Sequence, residues 1–241
     1  MDRIDDGQRT AARVAGLAYL VTTAIIVVGN FALRGRILVA GDPAASLRNI
    51  AAAERLFRAS LAFDLLYCVG VVVVVAALYV VLKPVSPHLA LLAAVGRFVH
   101  GLTYLLIALS LFAVLGLAVH PDLGRRLGAE PAQALVQLLR NGTGDLYYAG
   151  LLFWALAATA CFWLWRQSRY VPAALALTGL VASAWCVVCT LWYVVNPAFA
   201  DVVNLWWFDA PMVVCEIAVS LWLVVKGLPA ADAAAPAPAR G

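Results

Sequence analysis

Six stretches of this chain are apolar enough to enter a lipid bilayer: residues 14–33, 61–82, 89–119, 146–165, 171–195 and, more briefly, 211–225. A helix rises about 1.5 Å per residue, so a run of about 20 crosses the hydrocarbon layer. No water reaches that layer, and each run must satisfy its own peptide groups, as an α-helix does. The chain is 65% hydrophobic and 12% charged. A soluble domain is nearer half apolar and a quarter charged. A soluble globular protein, a disordered chain, a disulfide scaffold and a nucleic-acid binder are therefore excluded. The net charge of +4 suits anionic lipid headgroups, and membrane lipids are the expected partners. The leader mixes Asp2, Asp5 and Asp6 with Arg3, Arg9 and Arg13 ahead of the first run. It does not read as a signal peptide.

Local signals place the helix ends. Lys83-Pro84 stops the second run, Ser86-Pro87 opens the third and His120-Pro121 stops it. Asn196-Pro197 ends the fifth, and Asp209 caps the sixth. Trp206, Trp207 and Phe208 ahead of the sixth have the makings of an interfacial belt. Asp42-Pro43 is a helix start, and no breaker follows before Gly70, so one helix is expected over 43–82. Leu47, Ile50, Phe57 and Leu61 share one of its faces, with Arg48 and Arg55 opposite. Residues 131–140 suit a short surface helix, and 141–145 read as a turn. The expected fold is all-α, a polytopic membrane protein. It is a bundle of six transmembrane helices with an amphipathic arm leading into the second. Residues 1–229 form a single membrane-embedded domain, followed by a disordered Ala/Pro-rich tail over 230–241.

Six spans put both termini on one side. Counting Lys and Arg does not separate the two sides. The fifth-to-sixth loop holds Asp201 and Asp209 and no base, while the second-to-third and fourth-to-fifth loops hold bases and no acid. Both termini are therefore expected in the cytoplasm, with the protein in the inner (plasma) membrane.

Several pieces occur in a fixed order. The first helix carries Arg13-Val-Ala-Gly-Leu-Ala-Tyr-Leu, and Gly41-Asp42 precedes Glu54-Arg-Leu-Phe-Arg58 on the arm. Then come Leu82-Lys-Pro-Val85, Leu89-Ala-Leu-Leu-Ala-Ala-Val-Gly-Arg97-Phe-Val and Ser168-Arg-Tyr-Val-Pro172. Glu216 stands ahead of Leu221-Trp-Leu-Val-Val-Lys-Gly227. In these the chain resembles a bacterial integral-membrane family known as domain of unknown function, family 4386, over about residues 13–227. The resemblance implies a multi-helix membrane protein and supplies no activity, cofactor or catalytic residue.

Ionisable groups at bilayer depth need a partner or a wet cavity. Arg97 lies about 14 Å into its helix and Glu216 about 15 Å into the sixth, from the same side. They are expected within salt-bridge reach, directly or through one water, with His100 within a turn. Loss of one partner should be worse tolerated than exchange of both for neutral residues. His100 and Tyr104 follow Arg97 on one face. Asp64 is nearer the level of Tyr104 than of Arg97. Glu54, Arg58 and Asp64 fall on the arm's apolar stripe and are expected to point inward. Arg97, Glu216, His100, Tyr104, Asp64, Glu54 and Arg58 form a candidate ion-pair cluster or ligand pocket. Three readings stay open: a buried strut, a pocket for a small hydrophobic or amphiphilic ligand, and a proton path using His100 and the carboxylates. The last two suit a small-molecule or proton-coupled transporter.

The cysteines lie inside apolar runs. Cys186 and Cys189 at i and i+3 share a face. The spacing resembles the intramembrane pair of vitamin K epoxide reductases, whose second, loop-borne pair this chain lacks. A redox enzyme acting on a quinone or lipid is the alternative this pair supports, and both thiols are expected reduced and silent. Trp154 and Trp185, about 18–20 Å deep, are too deep for a belt. They pack in the core or wall an apolar cavity. His88, His100 and His120 form no metal-spaced cluster, and neither a cofactor nor a metal site is expected. No phosphate loop or hydrolytic triad is read, so an enzyme is not the favoured class.

Overall fold

A computed structural model describes residues 4–196, 198–204 and 207–229. All of the regular structure among them is helical. The expected disordered tail over 230–241, Trp206 of the belt, Pro197 and the terminal Met1 and Gly241 lie outside the described residues. The helices are α1 (Asp6–Val27), α2 (Pro43–Ala52), α3 (Glu54–Leu82), α4 (Pro87–Val119), α5 (Pro121–Leu127), α6 (Ala129–Ser168), α7 (Ala173–Val195), α8 (Phe199–Val202) and α9 (Ala210–Val225). A π-helical turn, Val28–Leu33, and a 3-10 turn, Arg34–Arg36, extend α1.

Five of these helical stretches are long and apolar enough to cross a membrane: Asp6–Arg36, α3, α4, α6 and α7. The sixth apolar helix, α9, is shorter, at 16 residues. The protein is an all-α, polytopic membrane protein. Outward-facing residues agree, since Val69, Leu92, Val181 and Val214 are each more than 60% exposed, a surface that suits lipid tails rather than water.

The residues fall into two compact units. One takes its described residues from Met1–Leu20, Val73–Val95 and Ala155–Gly241, the other from Val21–Val72 and Gly96–Trp154. In the first, α7 packs along α9. Gly16 of α1 meets α9 so closely that a β-carbon there would lie 2.5 Å from the Ser220 carbonyl oxygen. Gly179 of α7 faces the Phe162 ring of α6. Small residues let membrane helices approach where no hydrophobic force from water drives them together. Gln8, 5% exposed, donates to the Val81 carbonyl (2.9 Å) and to Tyr170 Oη (3.0 Å).

The second unit has an apolar core of Ile37, Ile50, Phe57, Leu61, Ile107, Leu111, Val114, Leu115, Leu117 and Val136. Ile50, Phe57 and Leu61 are fully buried while Arg48 and Arg55 are exposed, which is the amphipathic pattern of the arm. Several local expectations fail. The arm and the second span are not one helix: α2 ends at Ala52, and Ala53 (φ −119°, ψ 37°) leaves helical geometry before α3 starts. Side-chain bonds hold α2 against the preceding segment. Ser46 Oγ accepts from the Val39 amide (3.0 Å), and Asn49 donates to the Ile37 carbonyl (3.0 Å). Asp42 caps α2 by accepting from the Ala45 amide at 2.7 Å.

Residues 131–145 are not a surface helix and turn, but part of the 40-residue α6. Ala132 and Val136 pack inward, and Arg140 donates to the Val39 carbonyl (2.8 Å) and Ser46 Oγ (3.1 Å). Thr143 Oγ1 bonds back to the Arg140 carbonyl (2.6 Å). Packing of this stripe outweighs the helix-weakening glycines at 142 and 144, about 1 kcal/mol each. At α9, Asp209 occupies the N-cap position with helical dihedrals and makes no capping hydrogen bond. A cap needs extended geometry to reach the next amides. Phe208 is 1% exposed and belongs to the core, while Trp207 is exposed.

Candidate intramembrane site

The polar side chains of the second unit gather on α1, α3, α4 and α6. The inward stripe of α3 runs Phe57, Leu61, Asp64, Tyr67, Val71 and Val74, a spacing of three and four that keeps one face. Asp64 is fully buried. Its carboxylate pairs with the guanidinium of Arg34, just after the π-helical turn. Arg34 Nη1 also donates to Asn30 Oδ1 at 2.8 Å. One atom of each partner is left over: Asp64 Oδ1 and Arg34 Nε are buried and make no hydrogen bond among the described residues.

One turn along α3 from Asp64, Tyr67 meets α4. Tyr67 Oη and His100 Nε2 share a 3.0 Å hydrogen bond, whose direction follows the imidazole tautomer. His100 is 3% exposed. Its ring lies 5.0 Å from the Trp154 indole and 5.2 Å from Tyr104, edge-on to the latter. Tyr104 packs at 4.5 Å from Tyr67 and extends the aromatic cluster to Tyr147. Gly150 of α6 makes the approach possible. A β-carbon there would overlap the Thr103 side chain and lie 3.2 Å from His100 Nδ1. Trp154 is half-buried and walls the imidazole.

Asp64, His100 and Tyr104 thus lie in one unit with Arg97, which is 8% exposed and one turn before His100 on α4. Glu216 belongs to the other unit. It is 5% exposed, and its Oε2 accepts a 2.6 Å bond from Tyr19 Oη of α1. Glu54 and Arg58 do not point inward. They pair with each other at 2.7 Å, and their side chains are 41% and 51% exposed. Arg58 stands one residue, about 100°, past the buried Phe57, and Glu54 turns out in the first turn of α3 to meet it. Cys186 and Cys189 are buried free thiols, with Cys186 Sγ 3.9 Å from Thr190 Oγ1. Trp185 is 48% exposed and does not pack in the core.

Arg34, Asn30, Tyr67 and Tyr19 are absent from the sequence-derived set. Tyr19 and Tyr67 carried a signal, because a phenol at bilayer depth needs a partner for its hydroxyl. Tyr67 also sits at i+3 from Asp64, the position for a neighbour on the same face.

The chain matches a protein family described as Domain of unknown function (DUF4386) over residues 14–227. No curated protein and no solved structure matches it. With nearly the whole chain covered, it belongs to this family.

Proposed function

We propose that this DUF4386 chain is a plasma-membrane protein with both termini in the cytoplasm. It binds a small polar or amphiphilic ligand at the Asp64–His100 cluster. One observation carries the reading: Asp64 Oδ1 and Arg34 Nε belong to one buried ion pair, and each lacks a hydrogen-bond partner among the described residues. A buried polar atom left unpaired costs about 1–3 kcal/mol. A ligand group that both donates and accepts, such as an alcohol or an amide, relieves both deficits. Aromatic faces from Tyr67, Tyr104 and Trp154 suit the apolar part of such a molecule.

The test is mass spectrometry of molecules that co-extract with the full chain in mild detergent. Tyr67→Phe removes the hydroxyl bound to His100 and keeps the ring. Occupancy should fall about three- to tenfold, the worth of one hydrogen bond. Unchanged occupancy in Tyr67→Phe, or a native chain that carries only bulk lipid, would remove the reading. The 3.0 Å contact between His100 and Tyr67, one helical turn from Asp64, favours a second reading, a proton-coupled transporter. Proton uptake by the chain in sealed vesicles under a pH step separates the two.

A further inference from the structure

Where α6 gives way to α7, a cleft of about 650 Å³ opens, lined by Trp163, Arg166, Gln167, Arg169, Val171 and Ala173. Arg166 and Arg169 are exposed, and neither makes a hydrogen bond or an ion pair among the described residues. No carboxylate lines the cleft among the described residues.

Arg169 also holds a conformation that other side chains avoid. Its φ is 55°, the left-handed region that glycine or asparagine normally fills after a helix. The turn is fixed by Ser168, whose Oγ accepts from the Tyr170 amide at 3.3 Å. A left-handed arginine is the kind of backbone outlier that clusters at ligand clamps.

The start of α7 adds a second, independent attraction for an anion. Its N-cap is Pro172, which offers no side-chain cap. The first amides of this 23-residue helix have no intrahelical acceptor, and they stand at the positive end of its dipole. Ala173, the first helical residue, is part of the cleft wall. Helix N-termini of this kind take phosphate.

The surroundings give the rest of the ligand. The apolar runs of α6 and α7 end at this connection, which places it at headgroup level, with Trp163 (41% exposed) as an interfacial ring. From Ala173 an exposed apolar stripe descends α7 through Leu177, Val181, Trp185 and Val188. We infer that this cleft binds the phosphate headgroup of an anionic membrane lipid, whose acyl chains lie along the α7 stripe. None of the residues of the Asp64–His100 cluster takes part.

The experiment reconstitutes the full chain in phosphatidylcholine vesicles with and without phosphatidylglycerol. Lipid retained after detergent extraction is counted by native mass spectrometry. Phosphatidylglycerol should be retained in preference to phosphatidylcholine. Arg166→Gln with Arg169→Asn should lower that preference about thirtyfold, and Arg166→Gln alone about fivefold, as expected for a basic residue near an anionic surface. Asparagine keeps the left-handed turn, and both positions are exposed, so the fold is retained. Arg48→Gln with Arg55→Gln, on the arm, should change nothing. Equal retention of both lipids, or a preference that survives in the cleft variants, would overturn the assignment. So would full displacement of the lipid by inorganic phosphate, which would make a free anion the ligand.

Discussion

Asp64→Asn lowers the stability of the folded protein by about 3–5 kcal/mol, and Arg34→Met does the same. The two together, as Arg34→Met with Asp64→Leu, return most of that loss. The pair is buried, with side-chain exposures of 11% for Arg34 and 1% for Asp64, so removal of one partner leaves the other as a buried charge without its counter-ion. Two apolar residues of similar volume leave no charge behind, and exchanges of that kind are near neutral or stabilising. Asn30→Ala, which removes one accepting group from Arg34, should cost only about 1 kcal/mol. Denaturation of the purified chain in mixed micelles reads the series. Losses in the double variant equal to the sum of the single ones would show that the two residues act separately. If the double variant folds but no longer retains a co-extracted molecule, the pair belongs to a binding site and is more than a strut.

Gly16→Val should cost about 3 kcal/mol and Gly16→Ala somewhat less, within the range for overpacked contacts. The obstacle decides the size of the effect. A β-carbon at Gly16 meets the Ser220 carbonyl at 2.5 Å and Val224 Cγ2 at 3.0 Å. Side chains rotate away, but a helix backbone yields only by moving the helix. The contrast within one experiment is Gly116→Ala in α4, where nothing lies within 4 Å of the added carbon. There alanine should be neutral or stabilise by up to about 1 kcal/mol, through its better helix propensity. Thermal unfolding in detergent gives both values. Equal behaviour of the two glycines would mean that α1 does not depend on close approach to α9.

The spans were legible because bilayer thickness and proline leave strong marks. Ser86-Pro87 and His120-Pro121 bracket α4 as it is observed, Pro87–Val119. The break at Ala53 carries no such mark. It arises from Ser46 and Asn49 bonding to residues 39 and 37, contacts that only the folded chain brings together. In the same way Asn141-Gly142-Thr143-Gly144 has the local chemistry of a turn, and α6 runs through it because its flanks are packed. Asp64, His100 and Tyr104 stood out as polar groups in apolar runs. Arg34 did not, because an arginine at the end of a span reads as a boundary marker. Glu54 and Arg58 had two meanings at their spacing, an inward stripe or an i, i+4 surface pair, and the helix wheel alone does not separate them.

The π-helical turn has a consequence for chain length. The Arg34 amide reaches back to the Gly29 carbonyl, five residues earlier, as well as to Asn30. Gly29 rests against Phe63, and Arg34 pairs with Asp64, so adjacent residues of α3 are met by residues five apart on the first span. An α-helix would turn those two positions about 140° away from each other, while the i→i+5 pattern brings them back towards one side. The turn thus absorbs one extra residue. A homologue one residue shorter between Gly29 and Arg34 would wind as a plain α-helix there, and its arginine, four residues from the glycine and about 40° round from it, would still face the acid. A sequence that kept all five steps but wound them as an α-helix would swing the arginine off the acid, and the counterpart of Asp64 should then be uncharged, or matched by a base from elsewhere.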